Sequence, residues 1–290
     1  MLDLVEKYTG FIGCTDSYEH SGLIIIGAPM DLTVSFRPGT RLGPQQIRRV
    51  SHGLEEYSIY LGKDLGDYRY YDAGDVSLPY GNIQEGLSRI GRVVSKILFD
   101  GKFPLVLGGE HLITLAVLRE VVKLHPDVAV VVFDAHADLR NEYLGEEYSH
   151  ATVMRRIIEV IGGKNLYQFG IRSGIREEFA FASENTNMYI NEIIPPLQEV
   201  LQQLNGRPVY VSLDIDVVDP AYAPGTGTAE PGGCTSREIL KAIHLLGELN
   251  VVGFDLVEVS PVYDIAEQTA LLAAKLVREA IISFARPYNR

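Results

Sequence analysis

The sequence predicts an α/β fold in which helices flank a mainly parallel sheet. Short apolar runs of strand length alternate with longer amphipathic segments, which is the pattern of repeated βα units. The apolar runs show no clear two-residue alternation, as expected of strands that are buried on both faces. A chain of 290 residues can bury a large core without a metal ion or a disulfide. Because no linker or internal repeat divides it, we expect one domain over residues 1–290.

The individual elements follow from the same alternation. The predicted strands are Leu23–Ala28, Pro104–Gly108, Val128–Phe133, Leu166–Gly170, Val209–Leu213 and Val251–Val257, with weaker candidates at Tyr68–Ala73 and Met188–Ile190. The predicted helices are Pro44–Tyr57, Ile83–Phe99, Leu112–Leu124, Ala151–Ile161, Ile194–Leu204, Ser236–Leu249 and Gln268–Phe284. Together they give about eight strands with their crossover helices.

Composition excludes several classes of function. With 38 acidic against 26 basic residues, the chain carries a formal net charge of −12 and lacks the basic surplus that nucleic-acid binding requires. Its apolar runs fall far short of the roughly 20 residues that span a bilayer, and its first residues do not resemble a secretory signal. Cys14 and Cys234 form no CxxC pair and suit a reducing cytoplasm. We therefore expect a cytoplasmic protein without nucleic-acid or membrane partners, whose acidity suits a cationic ligand.

Residues of the type that bind metals follow three of the predicted strands. They form the groups Gly108-Gly109-Glu110-His111, Asp134-Ala135-His136-Ala137-Asp138 and Asp214-Ile215-Asp216. The carboxyl ends of parallel strands are where ligands bind, and side chains two positions apart on an extended chain share a face. A single such residue is commonly a helix cap, but buried acids in this number cost several kcal/mol unless cations or hydrogen bonds compensate them. The grouping therefore predicts a metal site.

The type of ligand indicates the metal and the chemistry. Four aspartates and two histidines without a thiolate form a hard, oxygen-rich set that favours Mn²⁺, although Co²⁺, Ni²⁺ and Fe²⁺ accept similar ligands. Six ligands, several of which can bridge, suit two ions about 3.5 to 4 Å apart better than one tetrahedral ion. Water between two such ions loses a proton near neutral pH. The predicted chemistry is therefore hydrolysis.

The three groups resemble the signatures of the ureohydrolase family, which includes arginases and agmatinases. The third group continues as Val217-Val218-Asp219-Pro220 and, after two residues, Ala223-Pro224-Gly225-Thr226-Gly227, in keeping with that pattern. The resemblance extends from Ser35–Arg41 to Val257–Pro261, and within the family it is strongest to prokaryotic agmatinases. It implies a three-layer αβα sandwich with a mainly parallel eight-stranded sheet, two Mn²⁺ per chain, and a homo-oligomer, either a trimer or a hexamer.

The resemblance also implies roles for individual residues. One ion would be held by His111, Asp134, Asp138 and Asp214, and the other by Asp134, His136, Asp214 and Asp216, with Asp134 and Asp214 bridging. His150 would pass a proton to the leaving amine, and Asp138 would help to stabilise the tetrahedral intermediate. Glu258 would receive the guanidinium through paired hydrogen bonds, with Thr228 nearby. Glu258 also lies in a mostly apolar stretch, where an unpaired acid is costly, which independently favours a cationic partner.

The expected reaction is hydrolysis of a small cationic guanidino compound to urea and an amine. Agmatine, which would give putrescine for polyamine biosynthesis, is the first candidate, because the segment Leu139–Tyr143 departs from the arginase pattern. Arg140 leaves guanidinobutyrate open, and a larger pocket would admit N1-aminopropylagmatine. Arginine is a further alternative that the same segment disfavours. Two alternatives belong to other classes: a metal-dependent amide deacetylase, whose usual His-His pair is absent beside Glu110, and a non-catalytic binding homologue.

Overall fold

A computed structural model describes residues 4–7, 9–15 and 17–286. Its strands are β1 (Val5–Glu6), β2 (Leu23–Ala28), β3 (Tyr57–Ser58), β4 (Lys63–Asp64), β5 (Tyr70–Val76), β6 (Phe103–Gly108), β7 (Ala129–Phe133), β8 (Leu166–Ile171), β9 (Asn187–Ile190), β10 (Pro208–Asp214) and β11 (Asn250–Val257). Its helices are α1 (Gly43–Ser51), α2 (Ile83–Phe99), α3 (Ile113–Leu124), α4 (Val153–Ile161), α5 (Arg176–Asn185), α6 (Ile194–Leu204), α7 (Ser236–Leu246) and α8 (Gln268–Phe284).

Nine strands of the described ranges form one sheet, in the order β1-β5-β2-β6-β11-β10-β7-β8-β9. Every neighbouring pair from β5 to β9 is parallel, which confirms the predicted eight-stranded parallel sheet. The ninth strand, β1, adds antiparallel at one edge, and β3 and β4 form a separate hairpin. These additions escape prediction because a two-residue strand is too short to show a hydrophobic period.

Helices cover both faces of the sheet. Alternate residues of a strand point to opposite faces, so Ile24 and Ile26 of β2 belong to one buried cluster, with apolar residues of α2, α3 and α4. Leu23 and Ile25 belong to the other cluster, with residues of α1, α6, α7 and α8. This arrangement confirms the predicted three-layer sandwich. None of the helices in the described ranges combines the length and apolarity needed to cross a membrane.

The predicted helix boundaries are mostly correct, and their errors have local causes. α2, α6 and α8 begin and end as predicted. α1 ends at Ser51 instead of Tyr57, because the chain turns at His52 and Gly53 towards the hairpin. α5 was not predicted, since its charged sequence shows little helical periodicity. The extent of a single domain over residues 1–290 stays a prediction.

Candidate metal centre

The predicted ligands follow adjacent strands in the middle of the sheet. β6, β11, β10 and β7 lie side by side in that order, and all are parallel. His111 follows β6, the Asp134 group follows β7, Asp214 ends β10, and Glu258 follows β11. The parallel topology therefore gathers residues that are far apart in sequence at one edge of the sheet.

Gly109 allows the loop after β6 to pass close to the backbone that follows β2. A Cβ atom at position 109 would lie 2.3 Å from the carbonyl oxygen of Met30, closer than Cβ atoms approach a backbone oxygen in proteins. The loop is fixed there because the amide of Glu110 donates to the same carbonyl at 2.8 Å. A larger residue at position 109 would therefore displace His111.

His111 faces three of the predicted carboxylate ligands. Its Nδ1 atom lies 3.1 Å from Asp134 Oδ2, 3.3 Å from Asp138 Oδ2 and 3.4 Å from Asp214 Oδ2, and all four side chains are buried. Within the described residues, His111 Nδ1 and Asp134 Oδ2 are buried without a hydrogen-bond partner. Potential metal-ligand atoms that converge without hydrogen-bond partners leave a position for a cation.

His136 forms a second group beside the first. Its Nδ1 atom lies 2.9 Å from Asp216 Oδ2 and 3.7 Å from Asp134 Oδ1. Asp134 thus belongs to both groups, and the potential ligand atoms within each lie no more than 4.8 Å apart. Asp214 reaches the first group through Oδ2, while its Oδ1 accepts a hydrogen bond from the amide of Asp216 at 2.9 Å. The structure therefore brings all six predicted ligands together.

A hydrogen-bond network behind His111 orients its ring. Ser212 Oγ donates to Asp255 Oδ1 at 2.6 Å, and the hydroxyl of Tyr210 donates to the other oxygen of Asp255. Because the hydroxyl proton of Ser212 is donated to Asp255, Ser212 Oγ accepts a hydrogen bond from His111 Nε2 at 3.0 Å. Nδ1 is therefore the nitrogen that faces the carboxylates and would bind a metal ion. Sequence reasoning missed Ser212 and Asp255, although an aspartate within the apolar run of β11 is a signal of the same kind as Glu258.

The pKa values indicate that the cluster lacks positive charge. Burial raises the pKa of Asp214 well above its usual range and that of Asp138 to about 7. Burial alone would lower the pKa of His111, but the carboxylates of Asp134, Asp138 and Asp214 raise it well above its ordinary value. A proton on His111 would partly neutralise the acids, and a divalent ion would do so more completely. The unpaired atoms, the oxygen-rich donors and these shifts fit a metal centre.

Glu258 and His150 face the same pocket as the predicted ligands. The pocket has a volume of about 260 Å³ and is also lined by Asp138, Asp214 and Thr228. Glu258 is 5% exposed, accepts the amide of His111 at 2.7 Å, and has its pKa raised by burial. Burial lowers the pKa of His150 to about 4. Thr228 Oγ1 lies 3.4 Å from Asp216 Oδ2.

Two of these residues have left-handed backbone conformations. The φ angle is 51° at Asp138 and 63° at Glu258, a region that costs non-glycine residues about 1 to 3 kcal/mol. The surrounding structure holds both residues in place. The carbonyl of Asp138 accepts the amide of Met154 at 3.0 Å, and the amide of Glu258 donates to Gly109 at 2.9 Å. Such strain is typical of functional positions.

The remainder of the pocket contains residues other than the predicted catalytic residues and metal ligands. Ser35 Oγ lies 3.2 Å from His150 Nε2, and the rings of Tyr143 and His150 meet edge to face at 6.0 Å. Arg140 lines the pocket with Nε 3.7 Å from Oε2 of Glu178, whose side chain is 3% exposed. Glu178 also accepts the amides of Leu139 and Ile175. These residues depend on tertiary contacts that leave no local pattern in the sequence.

Comparison with known proteins assigns the family. A model of the arginase family matches residues 21–283. The chain belongs to the arginase family. It is 53% identical over 287 residues to the agmatinase of Bacillus subtilis strain 168, covering 97% of this chain and 99% of that one. It is 37% identical over 268 residues to the guanidinobutyrase of Pseudomonas aeruginosa, covering 88% of this chain and 84% of that one. The structure of the agmatine ureohydrolase of Thermoplasma volcanium aligns with a TM-score of 0.88 at 34% identity, covering 97% and 96%.

Membership confirms the resemblance and the fold predicted from the sequence. The arginase family is a family of binuclear, metal-dependent hydrolases, and the two groups around Asp134 provide ligand atoms for metal ions. The roles of the individual residues stay predictions, as does the division of the ligands between two ions.

Proposed function

We propose that this arginase-family protein hydrolyses agmatine to putrescine and urea. The observation that carries the proposal is one pocket in which Glu258 and His150 face a two-group cluster that shares Asp134. The full-length similarity to the agmatinase of Bacillus subtilis supports the choice of substrate. Neither a single-ion deacetylase nor a binding protein without catalysis needs this combination.

The six ligands would divide between two ions as the family resemblance implies. His111 and Asp138 would serve one ion, His136 and Asp216 the other, and Asp134 and Asp214 both. When bound, the ions would supply positive charge and make water a nucleophile at neutral pH. We propose Mn²⁺ because the donors are mostly carboxylate oxygens, although other divalent ions accept the same set.

The protein's own groups would bind the substrate and move its proton. The carboxylate of Glu258 would receive the guanidinium in charge-assisted hydrogen bonds, which position its carbon beside the ligands. Asp138 would help to stabilise the tetrahedral intermediate. His150 is neutral at pH 7, because burial lowers its pKa to about 4, so it would hold a proton only transiently and would pass it on to the departing amine. Addition of water and departure of the amine leave urea and putrescine.

The far end of the pocket bears on which guanidino compound is preferred. A free guanidinium at Arg140 would attract the carboxylate of guanidinobutyrate and repel the ammonium of agmatine. Here the buried carboxylate of Glu178 lies 3.7 Å from Arg140 Nε and offsets that charge. Because the charges of Arg140 and Glu178 offset each other, this end of the pocket tolerates the cationic tail of agmatine. Guanidinobutyrate is the second candidate, since Arg140 still lines the pocket.

We also propose a cytoplasmic location and a homo-oligomeric state, either a trimer or a hexamer. Cys14 and Cys234 are not joined in a disulfide, which suits a reducing compartment. Light scattering on the purified protein tests the oligomeric state directly.

Urea release by the Mn²⁺-loaded enzyme tests the proposed function. Agmatine, guanidinobutyrate, arginine and N1-aminopropylagmatine are supplied at equal concentrations, with a His136→Ala variant as the control. We expect agmatine to give the highest kcat/KM and the variant to lose at least about a hundredfold. Faster release from another of the four substrates would overturn the choice of agmatine.

A further inference from the structure

Glu110 is a fully buried acid in the loop that carries the predicted ligand His111, and the proposed mechanism leaves it without a role. Its side chain is 0% exposed. Its Oε2 atom accepts hydrogen bonds from the backbone amides of Leu32 at 3.0 Å and Thr33 at 2.7 Å. Those amides belong to residues 29–39, which have no regular secondary structure and are held in part by hydrogen bonds to side chains.

The same segment contacts His150 through two hydroxyl groups. Thr33 Oγ1 accepts a hydrogen bond from the backbone amide of His150 at 2.9 Å. Ser35 Oγ lies 3.2 Å from Nε2 of the His150 ring. Displacement of this loop would therefore move or release the imidazole.

The other neighbours of Glu110 connect it to the predicted metal centre. The next residue, His111, faces three carboxylates, and its amide donates to Glu258. We propose that Glu110 is a positioning residue, whose carboxylate fixes the 32–35 loop so that Thr33 and Ser35 hold His150 beside the metal ligands. The inference rests on the proposed function, in which His150 transfers a proton.

The geometry distinguishes the effects of two substitutions. Both amides donate to a single oxygen of Glu110, which the amide oxygen of a glutamine can replace. The second oxygen, Oε1, is buried without a hydrogen-bond partner among the described residues, so an NH₂ group there displaces no donor. An alanine would leave two backbone amides unpaired.

The test compares Glu110→Ala and Glu110→Gln in the Mn²⁺-loaded enzyme. With agmatine, Glu110→Ala should lower kcat by about tenfold to a hundredfold while KM changes little, because a small displacement of a catalytic group has that effect. Glu110→Gln should restore most of kcat. Both variants should still bind two ions per chain. Amide hydrogen exchange at residues 32–35 should be faster in Glu110→Ala than in Glu110→Gln or the wild type.

A matched control and a double variant separate positioning from general stability. Glu279→Ala removes another fully buried glutamate, away from the pocket, and should leave kcat within about twofold. Adding Ser35→Ala should lower kcat less in Glu110→Ala than in the wild type, because both changes release the same imidazole.

Several outcomes would overturn the proposal. One is that Glu110→Ala loses its bound metal, and another is that it keeps the kcat and the amide exchange of the wild type. The proposal also fails if kcat falls as much in Glu110→Gln, or in Glu279→Ala, as it does in Glu110→Ala. The exchange measurement needs no substrate. If the wild type releases no urea from agmatine, the proposed function fails, and exchange still decides whether Glu110 holds the loop.

Discussion

At the scale of single residues, Arg140 shows how a buried partner changes the meaning of a charge. From the sequence, a guanidinium near the pocket suggests a carboxylate-bearing substrate. The structure places the acid of Glu178 beside it and the ring of Tyr143 4.6 Å from its guanidinium carbon. Glu178 lies in α5, a helix the sequence did not predict, so its contact with Arg140 could not be foreseen.

Removal of the Arg140 charge should therefore increase discrimination against anionic tails. Arg140→Met leaves the charge of Glu178 facing the tail of the substrate. The ratio of kcat/KM for agmatine to that for guanidinobutyrate should rise about fivefold, the size of a partly exposed ion-pair effect. Arg155→Met, which removes an arginine that packs over the Phe181 ring outside the pocket, is the control. An unchanged or lower ratio for Arg140→Met would show that Arg140 does not influence the choice of tail.

The ligands themselves were predictable because each lies at the end of a recognisable apolar run or within a few residues after it. Asp134 and Asp214 stand at the ends of strands whose residues are almost all buried. Their partners were not predictable in the same way. Ser212 and Ser35 act through contacts between distant segments, for which a single sequence contains no local pattern. Asp255 leaves one signal, since it is an acid within the apolar run of β11, but that signal does not show which residues it contacts.

At the scale of elements, a second buried acid joins two helices to the β3–β4 hairpin. Glu279 of α8 accepts hydrogen bonds from His244 of α7 at 2.8 Å, from Ser58 of β3 at 2.7 Å and from Arg278. Burial alone would raise the pKa of Glu279, but these hydrogen bonds lower it to about 2. Its ionised form is therefore favoured in the folded state.

The lowered pKa of Glu279 predicts a pH-dependent contribution to stability. The pKa is about 2 in the folded protein against an ordinary 4.5, so the contribution is complete above pH 4.5 and is lost as pH falls towards 2. Glu279→Gln should lower the free energy of unfolding by about 2 kcal/mol at pH 7, and the difference should shrink between pH 5 and 3. Urea denaturation measures both, with the exposed Glu248→Gln as a control. A difference that stays constant down to pH 3 would contradict the assignment.

The elements that prediction missed share a physical reason. β1 and the hairpin strands contain two residues each, and α5 is rich in charged residues, so none has a hydrophobic period. The long strands and helices were predictable because burial imposes that period on them.

At the scale of the whole molecule, the parallel sheet places the predicted ligands without long connecting loops. β6, β11, β10 and β7 are neighbours, and each delivers its polar residues at the same edge. Two buried layers of apolar side chains support the sheet from both faces. The topology thus converts motifs separated by up to 147 residues, such as His111 and Glu258, into one site.

The central claim is that this site catalyses urea release from agmatine when two metal ions are bound. The most direct test removes the metal by chelation and restores Mn²⁺ stepwise, while bound metal and urea release are measured on the same samples. We predict negligible release without metal, a steep rise as the second ion binds, and saturation at two ions per chain. Full activity with one ion or none, or two bound ions without urea release, would contradict the claim.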